Sequence, residues 1–160
     1  MKETERIIDE LRRSHGGDAW HGASVGEVLV GVTAEQAAAR PIEGAHSIWE
    51  LVLHITAWRE EAGARLTRGV SREPERGDWP PVLDSSEGAW KAALVDLAAA
   101  TDALVSALSR FPENRLDEMV GRERNPAEGT GVSFAVTLHG VAQHDAYHAG
   151  QIVMLKKAGA

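Results

Sequence analysis

Residues 47–68 read SIWELVLHITAWREEAGARLTR, and their spacing predicts one long amphipathic helix. Ile48, Leu51, Val52, Ile55, Trp58, Ala62 and Leu66 recur every three or four positions and so share a stripe. Ser47 and Glu50 supply the Ser-x-x-Glu pair that satisfies the free amides of a helix start. Upstream, Thr4–His15 carries Ile7, Ile8 and Leu11 on one face and stops at Gly16-Gly17. Two short helical pieces follow, Ser24–Val30 and Thr33–Ala39, the second with a Thr33/Gln36 capping pair and closed by Pro41. Downstream, Gly69–Leu83 is rich in charge, glycine and proline and reads as a long surface loop within one domain. Asp84 with Glu87 then caps a helix whose stripe runs Trp90, Leu94, Leu97, Thr101, Leu104, Val105, Leu108, ending near Arg110 before Phe111-Pro112. Glu113–Gly131 is a polar loop anchored by Leu116, Met119 and Val120, and Val132–Lys157 is the last long helix, with lysines at its C-terminal end. No segment shows strand alternation. The expectation is an all-α four-helix bundle, a single domain over 1–160 with long inter-helix loops. In such folds the site is built from side chains on facing helices.

Composition narrows the function. Of 160 residues, 43% are apolar and 26% charged, and no run approaches the roughly 18 uninterrupted apolar residues of a membrane helix. A net charge of -7 disfavours nucleic acid or an anionic membrane as partner. The charged start Met1–Arg6 has no apolar secretory core, which points to the cytoplasm. The absence of cysteine excludes disulfides, thiolate metal sites and cysteine nucleophiles, so any metal falls to His, Asp or Glu. Seven histidines make that worth pursuing.

On a wheel of about 100° per residue with Leu138 at zero, His144 falls at about 240° and His148 at about 280°. Both lie within the apolar stripe of Val141, Ile152 and Leu155, four residues apart, so their imidazoles can share one ion. His139 falls at about 100°, roughly opposite. His54, one turn after Leu51 and one before Trp58, faces inward from the other long helix. His54, His144 and His148 therefore form a candidate three-imidazole site with positions left open for water or substrate, suited to Zn²⁺, Ni²⁺ or Fe²⁺.

Other patterns are weaker. His144-Asp145-Ala146-Tyr147-His148 resembles the His-Glu-x-x-His helix of zinc proteases, but Asp is a methylene shorter than the general base required. Asp145 reads better as an acceptor behind the ligands or an interhelical salt-bridge partner. Gly22-Ala23-Ser24-Val25-Gly26 matches a serine-nucleophile elbow only if a strand precedes it, and none does, so Ser24 reads as a helix cap. Nucleotide-binding glycine loops are absent. Trp20 and His21 could line a substrate entrance, and Trp49 and Trp58 read as core or pocket wall. Arg59 and Glu60 read as solvated, and His15 and His46 as helix-end residues. Ala135, Ala142, Ala146, Ala149 and Val153 form a second apolar arc on the last helix, which suits either a partner helix or packing within the bundle.

Three stretches carry a resemblance: Trp20-His21-Gly22; Gly44-Ala45-His46-Ser47-Ile48-Trp49-Glu50-Leu51 leading to His54; and His144-Asp145-Ala146-Tyr147-His148-Ala149-Gly150-Gln151-Ile152. They resemble the DinB-like family, related to bacillithiol and mycothiol S-transferases. The resemblance implies an up-up-down-down left-handed bundle, frequent homodimers, and a divalent metal held by His54, His144 and His148. Some relatives use the metal to activate a low-molecular-weight thiol against an electrophile; here that thiol would come from a small molecule. Three functions remain open: thiol transfer, metal-dependent hydrolysis with Asp145 or Glu61 as base, and a non-catalytic metal-binding or stress-response module.

Overall fold

A computed structural model of the chain describes residues 1–121, 125 and 130–160. Its elements are α1 (Glu3–Gly16), α2 (Val25–Leu29), α3 (Ala34–Ala38), α4 (Ile48–Arg68), α5 (Glu87–Ser109), β1 (Met119–Val120), β2 (Val132–Ser133) and α6 (Phe134–Ala158). Three of the expected caps form as full boxes. Ser24, Thr33 and Ser47 each accept from the amide three residues on, and Glu27, Gln36 and Glu50 return the bond to the cap amide.

Two boundaries differ from expectation for local reasons. The α5 cap is Ser86, which accepts from the Ala89 amide. Asp84 accepts from the Ser86 amide instead, while Glu87 reaches across to the amide of Ala34 at the start of α3. Helix α6 begins at Phe134 because Val132 and Ser133 pair in antiparallel register with Val120 and Met119, leaving Ser133 as the cap. This two-residue ribbon is too short to leave an alternating pattern in sequence. Leu116 and Val120 anchor the segment before it, whereas Met119 is exposed; residues 122–124 and 126–129 of the expected loop lie outside the described residues.

Helix α4 packs against α5 and α6, and α1 packs against the same two from the other side. Directions follow from which residues meet. Trp49 contacts Trp90 and Gly63 lies against Leu104, so α4 and α5 run parallel. Ile7 and Leu11 of α1 share a cluster with the second halves of α4 (Ala62, Leu66) and α5 (Leu104, Leu108) and the first half of α6 (Leu138, Val141), and α1 ends at the other end of the bundle, where its His15 carbonyl lies against Gly26 of α2. The four long helices therefore run up, down, down, up, a correction to the up-up-down-down order. The all-α bundle itself is as expected. Loop 69–86 must return the chain along the bundle before α5 begins.

At the opposite end, α2 and α3 close a second cluster with Ile48, Trp49, Leu51, Trp90, Leu97, Ile152 and Leu155. The Trp90 indole N–H donates to the Val32 carbonyl at 2.7 Å. The Gly-x-Ser-x-Gly stretch belongs to this end and its parts are structural. Gly22 sits at φ 126°, Ser24 caps α2, and a Cβ on Gly26 would fall 2.6 Å from the His15 carbonyl oxygen. Helix α5 is long and apolar enough to cross a membrane; in the bundle its Trp90, Leu97, Leu104 and Leu108 fill the core. Of the small-residue arc on α6, Ala142 and Ala149 are buried within this same chain.

Arg59 is not solvated. It is 1% exposed and pairs with Asp145, also 1% exposed, at 2.9 Å across α4 and α6. Thr101 accepts from the same guanidinium at 2.6 Å, and Ser14 donates to Asp145 at 2.7 Å. The interhelical salt-bridge reading of Asp145 thus holds, and Arg59 is the partner that was missed. Glu60 is exposed as expected.

Candidate metal centre

His54 comes from α4 and His144 and His148 from successive turns of α6, where the two helices pack. The Nε2 atom of His144 lies 2.9 Å from Nε2 of His54 and 2.9 Å from Nε2 of His148. All three nitrogens fall within 4.8 Å of one another.

Hydrogen bonds at the opposite ring nitrogens fix what these atoms present. His54 Nδ1 lies 2.6 Å from the backbone carbonyl of Asp78, which only accepts, so Nδ1 carries the proton and Nε2 a lone pair. His148 Nδ1 lies 2.6 Å from the Gln151 side-chain oxygen, with the same consequence. Two lone pairs thus converge on His144 Nε2, which has at most one proton to give while the ring is neutral. Hydrogen bonding satisfies only part of this arrangement, and a divalent cation satisfies all of it. Two nitrogens about 2.0–2.1 Å from a tetrahedral ion stand ~3.3 Å apart, close to the observed spacing.

The electrostatics agree. Burial, followed by the neighbouring His148 and His54, pushes His144 down to about 3. His54 and His148 are also lowered, again chiefly by burial. All three are therefore neutral at physiological pH, the ligating form.

The long loop supplies a wall. Trp79 stacks on His54 (centroids 3.9 Å, interplanar 9°) and on His46 (3.5 Å, 6°). Asp78 accepts from the Trp58 indole N–H at 2.7 Å. Beside the imidazoles lies a cavity of about 670 Å³ lined by His148, Gln151, His46, Trp79, Tyr147 and Met154 among others, a volume suited to a small organic molecule.

The remaining sequence candidates disperse. His139 lies between Glu10 and Glu3 of α1, away from the cluster as its wheel position implied. His15 sits 3.2 Å from the Arg59 guanidinium and is pushed down to about 4 by burial and that charge. Trp20 and His21 line a separate cleft of about 430 Å³ with Arg6, Arg13 and Gln143, not the cavity beside the imidazoles. Trp49 is core, and Trp58 is tied to the loop. Glu61, offered as a base, is buried beneath Arg65 and Arg68 and accepts from the Arg72 amide. Asp145, the other candidate base, is committed to Arg59 and Ser14. Sequence reasoning missed Asp78, Trp79, Gln151 and the placement of His46. Only Gln151, one turn beyond His148, had a legible signal.

An antiparallel α4/α6 contact carrying three convergent imidazoles beside a cavity defines a helical bundle able to hold a divalent metal. The sequence matches the DinB superfamily over residues 19–152, and the chain belongs to that superfamily. A solved structure described as a conserved protein from Enterococcus faecalis shares the fold, with a TM-score of 0.69, 18% identity, and coverage of 99% of this chain and 97% of the other. No curated protein matches the chain significantly.

Proposed function

We propose that the protein is a metal-dependent transferase that joins a low-molecular-weight thiol to an electrophilic small molecule. The observation that carries this is the convergence of three Nε2 atoms, with one of the three rings, His148, on the wall of a cavity that has no carboxylate among its described lining residues. The two carboxylates that hydrolysis could use as a base, Asp145 and Glu61, are committed elsewhere. A thiol, with a pKa of about 8.5, is acidic enough to lose its proton beside a cation without one. His54, His144 and His148 would hold Zn²⁺, Ni²⁺ or Fe²⁺, which supplies Lewis-acid stabilisation of the thiolate. The chain keeps the three imidazoles neutral and oriented, and Trp79, Tyr147 and Met154 offer apolar surface to the electrophile. The sulfur–carbon bond forms as the leaving group departs with its electron pair. The thiol proton passes to solvent. With no cysteine of its own, the chain takes the sulfur from a small molecule, and the cytoplasm keeps such thiols reduced. The homodimer rests on the family alone, because the small-residue arc is largely used within the chain.

Purified protein is analysed for stoichiometric metal, then incubated with 1-chloro-2,4-dinitrobenzene and a panel of thiols, with and without chelator, and adducts are read by mass spectrometry. The expected result is a chelator-sensitive conjugate that His144→Ala abolishes. Bound metal with no metal-dependent conjugate across the panel overturns the transferase reading.

A further inference from the structure

One face of α4, at residues 54, 58, 61 and 65, holds the returning loop at Arg72, Asp78 and Trp79. At one end, Glu61 accepts from the Arg72 amide at 3.0 Å and Arg65 donates to the Arg72 carbonyl at 3.2 Å. Glu61 is itself held by Arg65 Nε at 3.0 Å and by a two-oxygen contact from Arg68 at 2.8 Å. Midway, Arg76 pairs with Glu60 at 2.8 Å. At the other end, the Trp58 indole N–H donates to the Asp78 carboxylate at 2.7 Å, and the Asp78 carbonyl accepts from the His54 Nδ1–H at 2.6 Å, with the same carboxylate 3.3 Å from that nitrogen. The Arg65 guanidinium lies over the Trp58 ring, 5.5 Å from its centroid, joining the two moorings.

We propose that Trp58 and Asp78 are positioning residues for the metal centre, acting as one unit that fixes the tautomer and orientation of His54, with Glu61 as the remote mooring of the same strap. This rests on the metal reading of the three histidines. The argument is geometric. The group that accepts from His54 is a backbone carbonyl in a loop, and a loop carbonyl stays aligned only if something holds the loop. The Asp78 side chain, on the same residue, is such a hold, beside the stack of Trp79 on His54, and Trp58 stands one helical turn from His54 on the same face of α4. Partners at the outer nitrogen of a ligating histidine typically change metal affinity by 10–100-fold when removed.

The test is the affinity of the whole protein for Zn²⁺, by competition with a chelating dye, for wild type, Trp58→Phe, Asp78→Ala and the double variant. Trp58→Phe keeps an aromatic ring against Arg65 and removes only the indole N–H and its fused ring. Each single change should weaken Zn²⁺ binding 10–100-fold, and the double should lose no more than about twofold beyond the larger single. Glu61→Gln should weaken it in the same direction. A second readout needs no metal: ¹⁵N spectra of the metal-free protein should show His54 as the Nδ1–H tautomer in wild type and as a mixture in Trp58→Phe. Affinities within twofold of wild type, losses that multiply in the double variant, or an unchanged tautomer in Trp58→Phe overturn the strap while leaving the metal site standing. A wild-type protein that binds no Zn²⁺ overturns both.

Discussion

Replacing Asp145 with Asn tests the interior of the bundle where its electrostatics are least forgiving. The substitution keeps the shape of the side chain and removes its charge, leaving the Arg59 guanidinium, 1% exposed, without its counter-ion 2.9 Å away. Thr101 and His15 cannot replace that charge: one is a hydroxyl, and the other is a neutral ring held well below its usual range. Removing one partner of a buried ion pair costs about 3–5 kcal/mol. For a chain of this size each kcal/mol moves Tm by roughly 2–4 °C, so Tm should fall by about 6–20 °C. Differential scanning calorimetry on metal-free Asp145→Asn and wild type measures this, with the paired Arg59→Met/Asp145→Leu variant as control. The paired variant should recover most of the loss, because an apolar pair of similar volume is often neutral or stabilising. A Tm within about 2 °C of wild type for Asp145→Asn would refute the buried-pair argument. So would a paired variant no better than the single one.

His144→Ala should abolish the stabilisation that Zn²⁺ gives wild type, about 2.7 kcal/mol at a hundredfold excess over Kd, while His139→Ala should retain it; thermal shift with and without Zn²⁺ decides. In metal-free protein, stability should fall as pH drops from about 6.5 towards 3. The unfolded chain binds protons that the buried His144, held at about 3, and His15, held at about 4, do not, so their contribution is present above about 6.5 and is lost on acidification. Urea denaturation at pH 7.5 and pH 5 measures it. Gly26→Ala should destabilise by about 1–3 kcal/mol by forcing α2 off the His15 carbonyl, read as a lower urea midpoint at unchanged slope.

The long helices were legible because each carries an apolar stripe with a polar cap, signals that a single segment contains in full. The imidazole cluster was legible for the same reason, since His144 and His148 are neighbours on one helix and His54 lies in the stripe of another. Arg59 shows where this stops. It continues the spacing of Ile55, Ala62 and Leu66, yet an arginine there reads as surface until its counter-ion on α6 is known. Glu61 misled in the opposite sense, a carboxylate that looked available and is consumed by two arginines and a backbone amide. Asp78 and Trp79 reach the site from a loop with no periodicity, 24 residues beyond His54 in the case of Asp78, so nothing in their local sequence announces them. Helix direction escaped too, because parallel and antiparallel neighbours bury the same stripes.

The parallel run of α4 and α5 sets a contour-length condition on the metal centre. A connection between parallel neighbours must cover the length of a helix, here about 30 Å at ~1.5 Å per residue, whereas residues 69–86 reach roughly 60 Å when fully extended. The crossover is therefore slack by about a factor of two, and tension does not decide where Asp78 sits. Its register over His54 is set by discrete fastenings, so residues inserted between Gly69 and Ser71 could be absorbed ahead of the Arg72 mooring, whereas a single deletion between Arg76 and Asp78 would slide the carbonyl off the imidazole.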